Sequence, residues 1–147
     1  MEVGKILITL DPSEIAIQSA KKALEIAMKF KAEVAVAHVL ETFHALGSPE
    51  LGMIPIEANE QMRKDAQDLL NDFAKHAKGI TVKTLLLEGS PREEIINAAK
   101  AFHADMIMCG THGRTGLMHM LMGSFAESLV QHSPIPVMVI PAKALKK

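Results

Sequence analysis

The residues of this chain that are best suited to chemistry lie in a glycine-spaced segment over residues 110–124, which reads GTHGRTGLMHMLMGS. The segment follows an apolar run at 106–109 and leads into a helical pattern over 125–131. Unpaired amides and the dipole at a helix N-terminus attract anions, and glycines let a phosphate approach the backbone closely. The pattern therefore indicates an anion site, with phosphate as the expected ligand.

The spacing of these glycines matches neither of the two standard phosphate-binding loops. The pattern Gly110-x-x-Gly113, followed by Gly123-Ser124, is far longer than G-x-G-x-x-G, and G-x-x-x-x-G-K-[ST] does not occur in the chain. Glycines alone would indicate only tight turns. Their place between a strand and a helix, with a hydroxyl after the last glycine, favours binding.

The composition predicts one compact domain over residues 1–147, because 48% of the residues are hydrophobic and the length is sufficient for a proper core. The 16 Lys+Arg nearly balance the 17 Asp+Glu, which argues against a nucleic-acid partner. Residues 1–9 are too short for a signal peptide, and no apolar run approaches the ~20 residues of a membrane span. The single cysteine, Cys109, fits a buried small hydrophobe in a reducing compartment. We therefore expect a cytoplasmic protein with no membrane partner.

Strand and helix patterns alternate along the chain. Strands are predicted over 3–9, 34–40, 82–87, 106–109 and 136–140. Asp11-Pro12-Ser13-Glu14 and Ser90-Pro91-Arg92-Glu93 each supply a cap, a proline and an acid, so helices are predicted from there to about 30 and over 92–102. Further helices are predicted from about 62 to near 79 and from Ser124, and 41–57 is predicted as one long loop.

This alternation predicts an α/β fold, a three-layer sandwich in which parallel strands form one sheet between helices. In open sheets of this kind, ligands bind beyond the carboxyl ends of the strands, where the strand order reverses. If the first and fourth strands are neighbours, Asp11 and Gly110 face the same site.

Four features together resemble the universal stress protein family, over essentially the whole chain. They are Asp11-Pro12-Ser13, His38-Val39, the glycine pattern ending at Gly123-Ser124, and the closing PIPVMVI at 134–140. The glycine pattern is similar to that of the ATP-binding branch. The resemblance implies a Rossmann-like fold with a five-stranded parallel sheet of order 3-2-1-4-5. It also implies an adenine nucleotide (ATP, ADP or AMP) at the switch between strands one and four, and a homodimer.

The resemblance further implies a role for each matching residue. It places Asp11 near the ribose or, through water, near a phosphate-bound Mg²⁺, and Val39 against adenine through its backbone. Gly110 and Gly113 would follow the ribose and phosphates, and Gly123-Ser124 would surround the β- and γ-phosphates. A plain helix N-cap is the alternative role of Asp11. The predicted binding set also includes Thr9, Thr111, His112, Arg114 and Phe125.

Two functional classes stay open at this point. The first is a regulatory protein whose nucleotide occupancy is sensed by partners, and the second is a slow ATP hydrolase or phosphoryl-transfer enzyme. Phosphoryl transfer needs a dedicated lysine, firmly held metal ligands and a base, and the chain supplies at most Arg114, His112 and Asp11. We therefore favour the regulatory class and assign no catalytic residue. His112 and His119 have no Cys, Asp or Glu between them, which argues against a zinc site.

The predicted dimer interface is the last strand, from Pro136 to Ile140, which is apolar and carries no charge. A bare edge strand of this kind invites aggregation, and pairing with the same strand of a second subunit would protect it. The alternative is that the flanking prolines or the tail at 142–147 cover the edge.

Overall fold

The computed structural model describes residues 1–45, 50, 52–55, 57–111 and 122–141 of the chain. Within these residues the strands are β1 (Lys5–Thr9), β2 (Glu33–Glu41), β3 (Phe43–Ala45), β4 (Met53–Pro55), β5 (Val82–Gly89), β6 (Met106–Gly110) and β7 (Val137–Ile140). The helices are α1 (Glu14–Lys29), α2 (Glu60–Ala74), α3 (Pro91–Phe102) and α4 (Ser124–His132). No helix in these ranges is both long and apolar enough to cross a membrane.

Five strands form one parallel sheet of order β5-β2-β1-β6-β7. In order of appearance along the chain this is 3-2-1-4-5, so the predicted topology is confirmed. The central strands are buried on both faces because helices cover both, which explains their nearly continuous apolar sequence.

Two hydrophobic clusters show which helices cover which face. Ile6 and Ile8 of β1 pack with apolar residues of α1 and α2, whereas Leu7, which points to the opposite face, packs with those of α3 and α4. The three-layer arrangement is therefore as predicted, with α1 and α2 on one side of the sheet and α3 and α4 on the other.

Helix α1 begins two residues later than the sequence pattern suggested. Ser13 is the N-cap, and its hydroxyl accepts a hydrogen bond from the amide of Ala16 at 3.2 Å. The predicted alternative role of Asp11 as the cap is therefore wrong, because a serine in extended conformation next to the helix satisfies the orphan amide. Helix α3 does have Ser90 as its N-cap and Pro91 as its first residue, one position earlier than predicted.

The prediction of one long loop over 41–57 is also wrong. Strand β2 extends through Glu41, and β3 and β4 pair antiparallel in a separate two-stranded sheet. Strands of three residues are too short to show a periodic pattern, so the sequence alone gave no signal for them.

Candidate functional site

A cavity of about 580 Å³ opens at the carboxyl edge of the large sheet. Its size is within the range of small-molecule sites. The lining includes eight of the residues predicted for binding, namely Thr9, Asp11, Val39, Gly110, Thr111, Gly123, Ser124 and Phe125. The other three predicted residues, His112, Gly113 and Arg114, lie outside the described residues.

The cavity lies where the strand order reverses. Strands β1 and β6 are hydrogen-bonded neighbours, but the chain continues from β1 towards β2 on one side and from β6 towards β7 on the other. Thr9 and Gly110 are the last residues of these two strands, and the crevice beyond them is the usual ligand position in open parallel sheets. Asp11 and Gly110 both line this crevice, as the sequence predicted.

The connection after β1 is held in place by a buried histidine. The Nδ1–H of His38 donates to the carbonyl of Leu10 at 2.7 Å, and the amide of Leu10 donates to the carbonyl of Ala37 at 2.8 Å. The Oδ1 atom of Asp11 lies 3.7 Å from the Nδ1 atom of His38, and 32% of the Asp11 side chain is exposed. Because Ser13 caps α1, the Asp11 carboxylate lines the cavity without a capping role.

Cys109 is buried in the core on β6. Burial, and to a smaller degree the negative charge of Asp11, raise the pKa of the Cys109 thiol to about 12. A thiol with this pKa is protonated at neutral pH and is a poor nucleophile. Cys109 therefore packs as a small hydrophobic residue, which is the role that the sequence favoured.

The two ends of the glycine-rich segment are fastened to each other. The amide of Gly123 donates to the carbonyl of Thr111 at 2.5 Å, and the amide of Thr111 donates to the carbonyl of Ile140 at 3.0 Å. Thr111 and Gly123 therefore lie next to each other on the cavity wall.

The first turn of α4 forms part of the same wall, through Gly123, Ser124 and Phe125. Gly123 is the N-cap of α4, and no side chain among the described residues forms a cap hydrogen bond at this end of the helix. The first amides of a helix have no intrahelical acceptor, so an uncapped helix end beside a cavity favours an anion there. The φ of −71° and ψ of 161° at Gly123 are accessible to any residue, so the backbone does not require glycine at this position.

The sequence analysis missed the contribution of α3. Ser90, Pro91, Arg92 and Glu93 all line the cavity, together with Ser128 of α4. The Nη1 atom of Arg92 donates to the hydroxyl of Ser128 at 3.1 Å. The motif at Ser90 was interpreted only as a helix start. Its position directly after a parallel strand could have assigned it to the site, because the connections that follow parallel strands all lie at the carboxyl edge of the sheet.

The described residues contain no group of three or more His, Cys, Asp or Glu side chains arranged to hold a metal ion. The charged side chains in the described part of the lining are Asp11, Glu41, Arg92 and Glu93. The site thus combines aliphatic walls, an uncapped helix end and a few polar groups, which suits an organic anion.

An open parallel sheet with helices on both faces and a cavity at its switch point defines a Rossmann-like α/β fold. The model of the universal stress protein family matches residues 2–141. The chain therefore belongs to the universal stress protein family, and the resemblance seen in the sequence is confirmed.

Individual relatives agree with this assignment. Universal stress protein MJ0531 of Methanocaldococcus jannaschii is 36% identical over 138 residues, which cover 92% of this chain and 81% of the relative. The solved structure of MJ0577, from the same organism, is 26% identical with a TM-score of 0.74 and covers 96% of this chain and 97% of that one.

Two further solved structures share the fold and contain a nucleotide. A universal stress protein from Archaeoglobus fulgidus in complex with dAMP has 21% identity and a TM-score of 0.68, and the match covers 95% of this chain and 99% of that one. A universal stress protein in complex with cAMP has 18% identity and a TM-score of 0.68, and the match covers 97% and 99% of the two chains.

Proposed function

We propose that this protein binds an adenine nucleotide, with ATP as the first candidate, in the cavity at the switch point, and that its occupancy is the signal that partners sense. One observation carries the proposal. Eight residues that the sequence singled out on four separate segments line a single cavity of about 580 Å³. ADP and AMP contain the same adenosine and phosphate groups, so they are the alternative ligands. Direct binding measurements distinguish them from ATP.

The residues on the walls of the cavity have the chemistry that the parts of a nucleotide require. Val39, Ala37 and Ile95 supply an apolar surface for a base, which matters because the chain has no Trp or Tyr to stack on it. Asp11 supplies an acceptor for ribose hydroxyls, or for the water shell of a Mg²⁺ ion. The uncapped first turn of α4 at Ser124 suits phosphate oxygens.

The remaining predicted residues, His112, Gly113 and Arg114, belong to the segment whose two ends meet at the cavity wall, so the proposal includes them. The relatives add support of a general kind. Two proteins with this fold were solved with dAMP and with cAMP, so the fold accommodates adenine nucleotides.

A regulatory role is favoured over catalysis because the described lining has one arginine, no lysine and no cluster of metal ligands. Phosphoryl transfer depends on positioned cations and a base or water-positioning residue. Slow hydrolysis of ATP is the second candidate function. Asp11 is the observation that favours it, since a carboxylate on the cavity wall could hold a hydrated Mg²⁺ ion or orient a water.

We also propose that the protein acts as a homodimer that pairs through β7. This strand is at the edge of the sheet, has no charged residue, and leaves Val137, Met138 and Val139 partly exposed. An edge with these properties needs cover, and a twofold pairing with a second copy supplies it.

The single buried thiol of Cys109 fits a reducing compartment, which supports a cytoplasmic location.

The nucleotide-binding proposal is tested by thermal denaturation of protein that has been stripped of nucleotide. At a ligand concentration ~100 times the Kd, binding should stabilise the native state by about 2.7 kcal/mol. This corresponds to a rise in melting temperature of roughly 5–10 °C for a chain of this size. The rise should be smaller for Asp11→Asn and unchanged for the control Asp68→Asn, whose carboxylate is exposed on α2.

The absence of any rise with millimolar Mg-ATP in stripped wild-type protein would refute nucleotide binding. Native mass spectrometry of gently purified protein would report the bound nucleotide and the number of subunits in one measurement. A monomer carrying nucleotide would refute the dimer and leave the binding proposal intact.

A further inference from the structure

Arg92 contributes a positive charge to the cavity wall. It belongs to α3, which lies outside the glycine pattern. We propose that Arg92 binds a phosphate beyond the α-phosphate, so that the cavity prefers nucleotides with a longer phosphate chain. The inference rests on the proposed function and deepens it, because it assigns the selectivity for ATP over AMP to one side chain.

The position of the guanidinium is defined by a contact between two helices. Arg92 is the second residue of α3, and its Nη1 atom donates to the hydroxyl of Ser128 on α4 at 3.1 Å. The same Nη1 atom lies 3.4 Å from the Nδ1 atom of His132, whose N–H donates to the carbonyl of Ser128 at 2.9 Å. Arg92 and Ser128 both line the cavity, so this contact lies on its wall.

The contact lies close to the expected phosphate position. Ser124 and Ser128 are four residues apart on α4, so they lie on one face of the helix, and both line the cavity. The axial rise over four residues is about 6 Å, which is comparable to the reach of a phosphate chain that extends from Ser124. A guanidinium that contacts Ser128 is therefore one helical turn from the amides proposed to bind phosphate.

The charge of Arg92 has no carboxylate partner in the described part of the chain. Its described contacts are the Ser128 hydroxyl and the His132 ring. Arg63, by contrast, forms a two-point ion pair with Glu88, with distances of 3.2 and 3.0 Å. A guanidinium has five N–H donors, and the bond to Ser128 uses one of them. Arg92 therefore keeps the capacity for charge-assisted bonds to an anion.

The other charges of the lining indicate where a phosphate chain would lie. Asp11, Glu41 and Glu93 are acidic, and Arg92 is the one cation in the described part of the lining. Glu93 is next to Arg92 on α3, and the positive charge of Arg92 offsets the repulsion between Glu93 and an anion. Since the other charged groups of the described lining would repel an anion, a phosphate chain is best accommodated beside Arg92 and the start of α4.

The test compares ligands that differ only in their phosphates. Stripped wild-type protein and Arg92→Gln are titrated calorimetrically with Mg-ATP, ADP, AMP and adenosine. We expect Arg92→Gln to weaken ATP binding by about 10-fold or more, since a hydrogen bond to a charged group is lost. Adenosine affinity should change by less than 2-fold, and Arg92→Lys should restore part of the ATP affinity.

Two controls separate phosphate binding from a purely structural link between the helices. Lys100→Gln removes a positive charge from an exposed position at the other end of α3, and ATP affinity should stay at the wild-type value. Ser128→Ala removes the helix-to-helix bond but keeps the guanidinium, so it should weaken ATP binding less than Arg92→Gln does.

The outcomes distinguish this inference from the proposed function. If wild-type protein binds none of the four ligands, both fail. If it binds ATP and Arg92→Gln keeps the wild-type ratio of ATP to adenosine affinity, only the role of Arg92 is refuted. An equal loss for ATP and adenosine, reproduced by Ser128→Ala, would also refute it and would show that the contact only joins α3 to α4.

Discussion

Replacing Gly123 with valine should abolish nucleotide binding and leave the fold intact. Gly123 lines the cavity at the first turn of α4, and its φ of −71° and ψ of 161° are accessible to valine. Valine also keeps the amide that donates to the carbonyl of Thr111 at 2.5 Å. The backbone dihedral angles at Gly123 therefore suit valine, and the added methyl groups should take space that a phosphate would occupy.

The substitution should change the stability of the free protein and of the nucleotide-bound protein by different amounts. A branched residue at an N-cap position is less favourable than glycine, which should cost roughly 1 kcal/mol and lower the melting temperature by about 2–4 °C. The stabilisation by ligand is larger, at about 2.7 kcal/mol or roughly 5–10 °C when the ligand is at ~100 times the Kd. The variant should lose this second effect, whereas Gly123→Ala should keep part of it.

The assay is a melting curve with and without Mg-ATP for each variant, supported by circular dichroism of the free protein. Gly4→Val is the matched control, because Gly4 precedes β1 at the opposite edge of the sheet. A Cβ atom at Gly4 would lie 3.6 Å from the Oδ2 atom of Asp105, which is an ordinary contact. Its response to ATP should equal that of the wild type. A Gly123→Val protein that folds normally and shows the full ATP response would remove Gly123 from the site.

Four further predictions concern assembly, turnover, reactivity and stability. Val139→Lys places like charges near the twofold axis of the proposed dimer and should sediment as a monomer, whereas a dimeric variant would contradict pairing through β7. Purified protein should hydrolyse ATP well below the ~10 per second of a median enzyme, and a normal rate that Asp11→Ala or Ser124→Ala removes would favour the enzymatic alternative. Cys109, with its pKa raised to about 12, should react with a thiol reagent at pH 8 only after denaturation, and fast labelling of native protein would show that the thiol is accessible. Ser19 has a buried hydroxyl with no hydrogen-bond partner among the described residues, so Ser19→Ala should raise the free energy of unfolding by about 1 kcal/mol in a urea titration, and a clear loss of stability would indicate an unrecognised partner.

The strand order of the large sheet was predictable because of a match to a family, whereas its layers were predictable from the residues themselves. Apolar runs such as 106–109 and the helix-start motif at Ser90-Pro91 are local signals, and they appear in the structure within a few residues of their predicted places. The small sheet of β3 and β4 was missed because three-residue strands carry too little periodicity.

The same distinction applies to the candidate site. The glycine pattern and its position between strand and helix are local, so Gly110 and Gly123-Ser124 were identified and do line the cavity. The role of Asp11 was ambiguous because a carboxylate before a helix can be either a cap or a ligand. Only the hydrogen bond that the amide of Ala16 donates to the hydroxyl of Ser13 excluded the capping role.

By itself, the sequence determined the alternation of strands and helices, the family, and eight of the residues on the cavity wall, because each depends on neighbours along the chain or on the family resemblance. The tertiary structure decided what depends on packing between distant segments. It brought Arg92 of α3 to within 3.1 Å of Ser128 on α4, and it buried His38 so that its ring holds the connection in front of Asp11. No local pattern encodes such contacts, because they arise only when segments that are far apart in sequence pack against each other in the folded chain.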